Sequence, residues 1–247
     1  MDFKCKICGS GSRTIVSGTV RDSSEHSVFR CIDCGHVQLY PLPDWTVNKE
    51  FYSNNSQATW VRPVIDIDKI RSNLKTDTMR RADFIETIIA RGKKIIELGT
   101  GYGFFMEEMI HRGWGIEGSE IGIGRREIAE KITNKSLYDF DVCLDESIET
   151  QLLNSFDAVV AFQVFEHVLD PIGFLEGIKK LLKPGGMVIL EIPNRDDHMI
   201  EACKGYSDFY YQKAHVSYFN ANDLRELLTK VGFNTIKPYF IQRYSIG

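Results

Sequence analysis

The segment Ile95–Gly103, with the sequence IIELGTGYG, constrains the fold of this chain more than any other. A short run suited to a buried strand leads into three glycines at alternate positions, and helix-forming residues follow from Phe104. Glycine lets the backbone turn sharply and approach a ligand without a Cβ in the way. We therefore predict a strand, a glycine turn and a helix start. In a doubly wound sheet this junction lies at the carboxyl ends of the strands, where ligands bind.

The rest of the chain from Lys93 onward alternates short apolar runs with amphipathic segments. This alternation is typical of an α/β fold with a mostly parallel, doubly wound sheet flanked by helices. The predicted strands are Lys93–Leu98, Trp114–Ser119, Leu137–Cys143, Phe156–Gln163 and Met187–Ile192, with an extended stretch near Phe233–Arg243. The predicted helices are 67–91, Phe104–Arg112, Arg125–Ile132, Glu146–Leu153, Ile172–Leu182 and Ala221–Val231, with Lys183–Gly186 as a turn.

The glycine spacing separates two kinds of nucleotide site. A dinucleotide fingerprint, G-x-G-x-x-G, needs a glycine at 104, where Phe104 stands, so an NAD-linked dehydrogenase requires that this phenylalanine be tolerated. Here the third glycine is Gly103, and an acid, Glu97, stands two residues before the first glycine. The chain thereby resembles the class I S-adenosylmethionine-dependent methyltransferases, whose first motif is D or E followed by x-G-x-G-x-G.

The resemblance covers roughly residues 80–235 and implies a Rossmann-like fold that binds S-adenosylmethionine. It places the Glu97 carboxylate on the cofactor's ammonium and Glu120 on its two ribose hydroxyls, with Glu117 as the competing choice if the register slips. The cofactor-binding residues that it implies are Glu97, Gly99, Gly101, Gly103, Glu120, Leu144, Asp145 and Gln163. The family usually ends with two further strands, whereas this chain has room for one after Gly232.

Methyl transfer to a hydroxyl or a carbon acid needs a base, and histidine is suited to that role near neutral pH. His167 follows the fourth predicted strand, whereas His215 lies in a stretch that resembles the segment before the last helix of small-molecule methyltransferases. We expect His215 or His167 to be the base, with Tyr218 assisting by hydrogen bonding. Adjacent acids at Asp196-Asp197 are expected to be exposed rather than to bind magnesium.

Four cysteines form two pairs, Cys5-x-x-Cys8 and Cys31-x-x-Cys34, and each pair is followed by glycine. This spacing lets both thiolates of a pair face one tetrahedral cation, and two such pairs complete a four-cysteine zinc site. We therefore predict a small N-terminal zinc ribbon in which Zn²⁺ is structural, because four protein ligands leave no open position for chemistry. His26 and His36 are expected to be solvated loop histidines rather than ligands.

Together these patterns predict three segments: a zinc ribbon at 1–44, a linker and helical lead-in at 45–92, and the cofactor-binding core at 93–247 with an aromatic insertion at 194–219. The ribbon and core resemble a bacterial subgroup that methylates sugars. We therefore expect a cytoplasmic enzyme of carbohydrate biosynthesis acting on a sugar or nucleotide-linked sugar hydroxyl.

Alternatives to a sugar acceptor stay open at this point. The ribbon could recognise RNA or protein, but its five basic and five acidic side chains cancel, and the whole chain has a net charge of −4, so nucleic acid is disfavoured. A non-catalytic binding protein is disfavoured because the acidic and glycine residues of the motif are intact. No apolar run approaches the roughly 18 residues that span a bilayer, so no membrane is expected.

Overall fold

The computed structural model describes residues 2–43, 66–143 and 148–241. These residues fall into two compact units, one formed by residues up to Pro41 together with those from Pro193 onward, the other by Leu42–Ile192. The predicted segments 1–44, 45–92 and 93–247 are continuous in sequence, whereas the first compact unit combines residues from both ends of the chain. The three segments stay a prediction. No helix among the described residues has the length and apolar character needed to span a bilayer.

The second unit is built around a parallel sheet. Its strands are β4 Ile95–Leu98, β5 Ile116–Ser119, β6 Phe156–Phe162 and β7 Leu182–Glu191, in the order β5-β4-β6-β7. Its helices are α1 Ile67–Ile88, α2 Phe104–His111, α3 Ile123–Thr133 and α4 Pro171–Leu181. The chain runs from β4 outward to β5 and then crosses to β6 on the other side of β4. The carboxyl ends of β4 and β6 therefore form a topological switch point.

Apolar side chains on α1, α2 and α3 pack on one face of this sheet. Ala82, Ile85, Met109 and Ala129 are fully buried there, and alternation along β6 puts Val160 into the same cluster. Helix α4 begins after Asp170, whose side chain accepts a hydrogen bond from the Gly173 N–H. The predicted doubly wound α/β class is confirmed.

The third predicted strand, Leu137–Cys143, is wrong in extent. Only Tyr138 pairs, in an isolated bridge to Ser119 at the end of β5. The cause is local, because the Asp141 side chain accepts a hydrogen bond from the Cys143 N–H and so favours a turn over a strand.

Other predicted elements differ in their ends. The described part of the helix predicted at 146–153 holds a single 3₁₀ turn, Thr150–Leu152. The predicted turn at 183–186 lies inside β7, where four residues between Leu182 and Met187 stand opposite Asp157 alone. Residues 233–241 form no strand, and most of the predicted linker lies outside the described residues.

The first unit is an antiparallel sheet in the order β1-β2-β3-β8. Its strands are β1 Arg13–Ser17, β2 Ser27–Cys31, β3 Val37–Tyr40 and β8 Ser217–Tyr218. Its helices are α5 His198–Ala202, α6 Lys204–Tyr210 and α7 Ala221–Val231. Helix α7 has the predicted bounds: a capping box joins Asn220 and Asp223, and Gly232 ends the helix in the left-handed region.

Two histidines of this unit contradict the sequence prediction. His26 and His36 are buried, not solvated. The Nδ1 atom of His26 lies 2.6 Å from Ser23 Oγ. Burial, with Arg195 nearby, lowers the pKa of His36 to about 3, so this ring is neutral at physiological pH.

Candidate functional site

The glycine turn after β4 is held by the end of β5. The N–H groups of Gly99 and Thr100 both donate to the Ser119 carbonyl, at 2.9 and 3.0 Å. Gly101 has a φ of +59°, and a Cβ built there meets nothing within 4 Å, so the turn borders open space at this residue. A positive φ beside open space is what a backbone needs in order to cup a ligand closely.

Glu120, directly after β5, faces this turn. One of its carboxylate oxygens accepts from the Gly101 N–H and the other from the Gly122 N–H, both at 2.8 Å. An ionised carboxylate has about four acceptor sites, so capacity remains for the two hydroxyls of a ribose. The predicted separation of Gly101 and Glu120 in sequence therefore corresponds to direct contact in space.

Glu97 is a buried acidic residue of the second unit. Its side chain is buried at the end of β4, and Oε2 has no hydrogen-bond partner among the described residues. Burial raises the pKa of the Glu97 carboxyl well above its ordinary range, Glu120 adds to this rise, and Arg81 on α1 opposes it. A buried acceptor with no donor is suited to a cationic ligand, because an ammonium would supply both the proton donor and the charge.

The end of β6 closes on the same turn. A Cβ on Gly99 would lie 2.6 Å from Val164 Cγ2, so only glycine fits this approach without displacing Val164. Gln163 adopts a φ of +58°, although it is not glycine, and its N–H donates to the Glu191 carbonyl at 2.7 Å. Such left-handed residues concentrate at functional sites. Of the other predicted cofactor residues, Gly103 caps α2, whereas Leu144 and Asp145 lie outside the described residues.

The predicted catalytic residues lie in both units. His167 ends a 3₁₀ turn after β6, half-buried, with its Nε2 3.9 Å from Glu166 Oε1. His215 is buried in the first unit, with Gln212 Nε2 at 2.9 Å from its own Nε2. Which histidine serves as base stays a prediction.

Tyr218 is buried on β8, and its hydroxyl is engaged by the backbone. It donates to the Gln212 carbonyl at 3.1 Å and accepts from the Gln212 N–H at 3.2 Å. Burial raises the pKa of Tyr218 above its ordinary value. These contacts favour a role in holding the chain near His215, and the predicted catalytic assistance by Tyr218 stays untested.

The four paired cysteines come together in the first unit. Their sulfur atoms all lie within 4.8 Å of one another, with 3.5 Å between Cys5 and Cys34 and between Cys8 and Cys31. A tetrahedral zinc with Zn–S bonds of about 2.3 Å separates its sulfurs by about 3.8 Å, so the cluster fits one zinc ion. The two pairs make equivalent turns, in which Gly9 donates to the Cys5 carbonyl and Gly35 to that of Cys31.

Two features of the described residues escaped sequence reasoning. Arg80 and Arg81 on α1 both hold Glu191 at the end of β7, and Arg81 also acts on Glu97. Gln38 is a fully buried polar residue within the apolar strand β3. A lone glutamine in the sequence Val-Gln-Leu-Tyr is the signal that could have revealed the second.

Comparison with known proteins gives a family. A family model described as a methyltransferase domain matches residues 70–237, more than half of the chain. The ubiquinone biosynthesis O-methyltransferase of Pseudomonas aeruginosa is 28% identical over 137 residues, which cover 55% of each chain. The protein of the same name from Dechloromonas aromatica is 28% identical over 158 residues, covering 62% of this chain and 58% of that one. This chain spans about half the length of these curated relatives.

Solved structures share the fold. Magnesium protoporphyrin IX methyltransferase from Synechocystis, with bound SAH, has a TM-score of 0.58 at 15% identity and covers 78% of this chain and 91% of its own. A SAM-dependent methyltransferase from Thermotoga maritima, described as a possible histamine N-methyltransferase, has a TM-score of 0.54 at 22% identity and covers 78% and 82%. Both likenesses concern the architecture. The chain therefore belongs to the methyltransferase-domain family, and its parallel-sheet core is a class I S-adenosylmethionine-dependent methyltransferase domain.

Proposed function

We propose that this protein transfers a methyl group from S-adenosylmethionine to a small-molecule acceptor, a sugar or nucleotide-linked sugar hydroxyl. The observation that carries the proposal is the meeting of three features at one switch point of the sheet. These are the open glycine turn, the Glu120 carboxylate and the buried Glu97 Oε2, which has no hydrogen-bond donor in the part of the chain that the structure describes. In this arrangement Glu97 would hold the ammonium of the cofactor and Glu120 its ribose, while the backbone at Gly101 leaves space for both.

The chemistry asked of the protein is modest. S-adenosylmethionine supplies a methyl group already activated on a sulfonium. The chain must align an acceptor with that methyl group and remove a proton from the acceptor. A neutral histidine, His215 or His167, is suited to accept the proton from a hydroxyl near neutral pH.

The acceptor proposal has two supports. The curated relatives are named O-methyltransferases of ubiquinone biosynthesis, which favours an oxygen acceptor on a small molecule. The combination of a four-cysteine ribbon with this core resembles sugar methyltransferases. An RNA acceptor is disfavoured because basic side chains of the ribbon are already engaged: the Arg13 guanidinium lies 4.7 Å from the ring centres of Phe29 and Tyr40, and Arg21 bonds Gln212.

We further propose that Cys5, Cys8, Cys31 and Cys34 hold a structural Zn²⁺. The sulfur distances support this role, and four protein ligands exclude an open coordination position. Metal-binding cysteines are typical of a reducing compartment, and we propose that the protein is cytoplasmic.

The cofactor site is tested by calorimetric titration of S-adenosylmethionine into Gly101→Arg. The arginine side chain would enter the open space of the turn, and the left-handed backbone adds strain, so binding should fall below detection. Gly92→Arg is the matched control, since Gly92 also has a positive φ and open space but precedes β4. Undiminished binding by Gly101→Arg refutes the site, and NADH titration in the same series tests the dehydrogenase alternative.

The acceptor is tested by mass spectrometry. Incubation of the protein with S-adenosylmethionine and a panel of nucleotide sugars should yield one species heavier by one methylene, together with S-adenosylhomocysteine. A methylated RNA or protein in a parallel reaction, with no methylated sugar, would overturn the acceptor class and leave the cofactor site intact.

A further inference from the structure

Strand β8 connects the segment that carries His215 to the N-terminal sheet. Val37 pairs with Tyr218 and Gln38 with Ser217, and the Leu39 N–H donates to the Val216 carbonyl at 2.9 Å. The residues that directly follow His215 are therefore held by main-chain hydrogen bonds to β3. On the other side of the histidine, the Gln212 backbone is held by the Tyr218 hydroxyl.

Gln38 connects this pairing to the first cysteine pair. Its side chain is fully buried, and its Oε1 accepts from the Lys6 N–H at 2.9 Å while its Nε2 donates to the Lys4 carbonyl at 3.3 Å. Lys4 and Lys6 are the neighbours of Cys5 in the chain. One residue thus holds the backbone around Cys5 with its side chain and stands directly opposite Ser217 of β8, while its chain neighbour Leu39 makes the main-chain hydrogen bond to Val216.

His36 makes the corresponding connection from the second pair. It follows Cys34 by two residues, and its carbonyl accepts from the Cys31 N–H at 2.8 Å. Nε2 of its buried ring lies 3.3 Å from Ser217 Oγ, and the ring centre lies 5.1 Å from that of Phe219. Both cysteine pairs therefore reach the same short strand through buried side chains.

We propose that metal binding by the four cysteines positions the segment that carries His215, with Gln38 as the positioning residue between the metal site and β8. Metal bound by the four cysteines orders residues 4–6, Gln38 couples them to β3 opposite Ser217, and β8 holds the chain that follows His215, with the Tyr218 hydroxyl holding Gln212 before it. The role of His215 in catalysis rests on the function proposed above, whereas the coupling from metal to β8 does not. Metal binding and local folding are commonly linked in this way because the ligand loops carry little structure of their own.

The coupling is measured by hydrogen exchange with mass spectrometry on the full chain. Zinc-loaded protein is compared with protein stripped by a chelator and with stripped protein reloaded with zinc. Stripping should speed amide exchange in residues 211–219 by about tenfold or more, and reloading should restore the slow rate. Residues 156–162 of β6 serve as the internal reference, and their exchange should stay unchanged.

A variant separates the positioning role from general stability. Gln38→Leu removes both side-chain hydrogen bonds, so exchange in 211–219 should rise about tenfold while cobalt still gives the absorption of a four-thiolate site. Gln38→Glu keeps the acceptor for the Lys6 N–H, so its exchange rate in 211–219 should lie between those of the wild type and Gln38→Leu. Gln151→Leu, an exposed glutamine of the second unit, is the control and should leave exchange in 211–219 unchanged.

The outcomes distinguish this inference from the proposals on which it builds. Metal uptake without any change of exchange in 211–219 overturns the coupling and leaves the zinc site standing. Failure of the chain to take up zinc or cobalt overturns both. Calorimetric binding of S-adenosylmethionine to the zinc-loaded protein reports on the cofactor site separately, and its loss in Gly101→Arg supports that site whichever way the exchange result falls.

Discussion

Replacement of Glu97 by glutamine should strengthen the ligand-free fold and weaken binding of S-adenosylmethionine. The carboxyl is buried, and burial raises its pKa well above the ordinary value of 4.5. Because the folded pKa lies above the unfolded one, ionisation opposes folding, and stability is lost as the pH rises from about 4.5 to the folded pKa. Glu97→Gln removes this titration, so its free energy of unfolding should exceed that of the wild type at neutral pH.

Binding of the cofactor should reverse the protonation preference of Glu97. An ammonium beside Glu97 favours the ionised carboxylate, and a hydrogen bond between charged groups contributes about 1.5–3 kcal/mol, or about 10- to 150-fold in Kd. Glu97→Gln should therefore bind S-adenosylmethionine more weakly than the wild type by about that ratio of Kd values. Wild-type binding should also release protons and tighten as the pH rises towards the ligand-free pKa of Glu97, whereas binding by the variant should be independent of that titration.

Calorimetry in buffers of different ionisation enthalpy measures both Kd and the protons released, and urea unfolding measures stability. Glu176→Gln makes the same chemical change at an exposed position on α4 and should match the wild type in both assays. If Glu97→Gln binds the cofactor within about twofold of the wild type and with the same pH dependence, the reasoning about the buried carboxyl is wrong.

Two further substitutions test packing and charge in the second unit. Gly177→Ala would place a Cβ 1.9 Å from the Val142 carbonyl oxygen, so urea unfolding should show a loss of about 3 kcal/mol. Gly205→Ala is the control: it lies in the first unit with open space around its Cβ and should be neutral or stabilising by up to about 1 kcal/mol. Equal effects of the two changes would refute the predicted clash. Burial acts to raise the pKa of Glu191, but ion pairs with Arg81 and Arg80 hold it below its ordinary value. Glu191→Gln should therefore cost about 3 kcal/mol at pH 7, and this difference should shrink as the pH falls through the folded pKa; a difference independent of pH would contradict the ion-pair account.

The sequence predicted best those features that neighbouring residues decide. The glycine turn followed the spacing of Gly99, Gly101 and Gly103, because all three adopt a positive φ, which is a property of the local backbone. Helix α7 has its predicted bounds for the same reason, with its capping residues and Gly232 within one segment. The strand predicted at 137–143 failed because a side chain within it, Asp141, forms a turn that periodicity does not register.

Features decided by distant residues could not be predicted. His36 is buried because Ser217 and Phe219 cover it, and nothing near residue 36 indicates that a strand from the other end of the chain pairs with β3. The same holds for Glu191, whose partners Arg80 and Arg81 precede it by about 110 residues. Sequence reasoning identified the chemistry of the individual groups, and the fold supplied their neighbours.

The late position of β8 in the chain has a consequence for biosynthesis. Strands β1 to β3 leave the ribosome before β8, but Val28, Val37 and Leu39 are covered in the finished protein by a cluster that includes Tyr210 and Tyr218. At a translation rate of about 5–20 residues per second, the interval before residue 218 emerges is roughly 10 to 35 seconds. During that interval the nascent N-terminal sheet lacks this apolar cover, so we expect it to be prone to aggregation at this stage of synthesis.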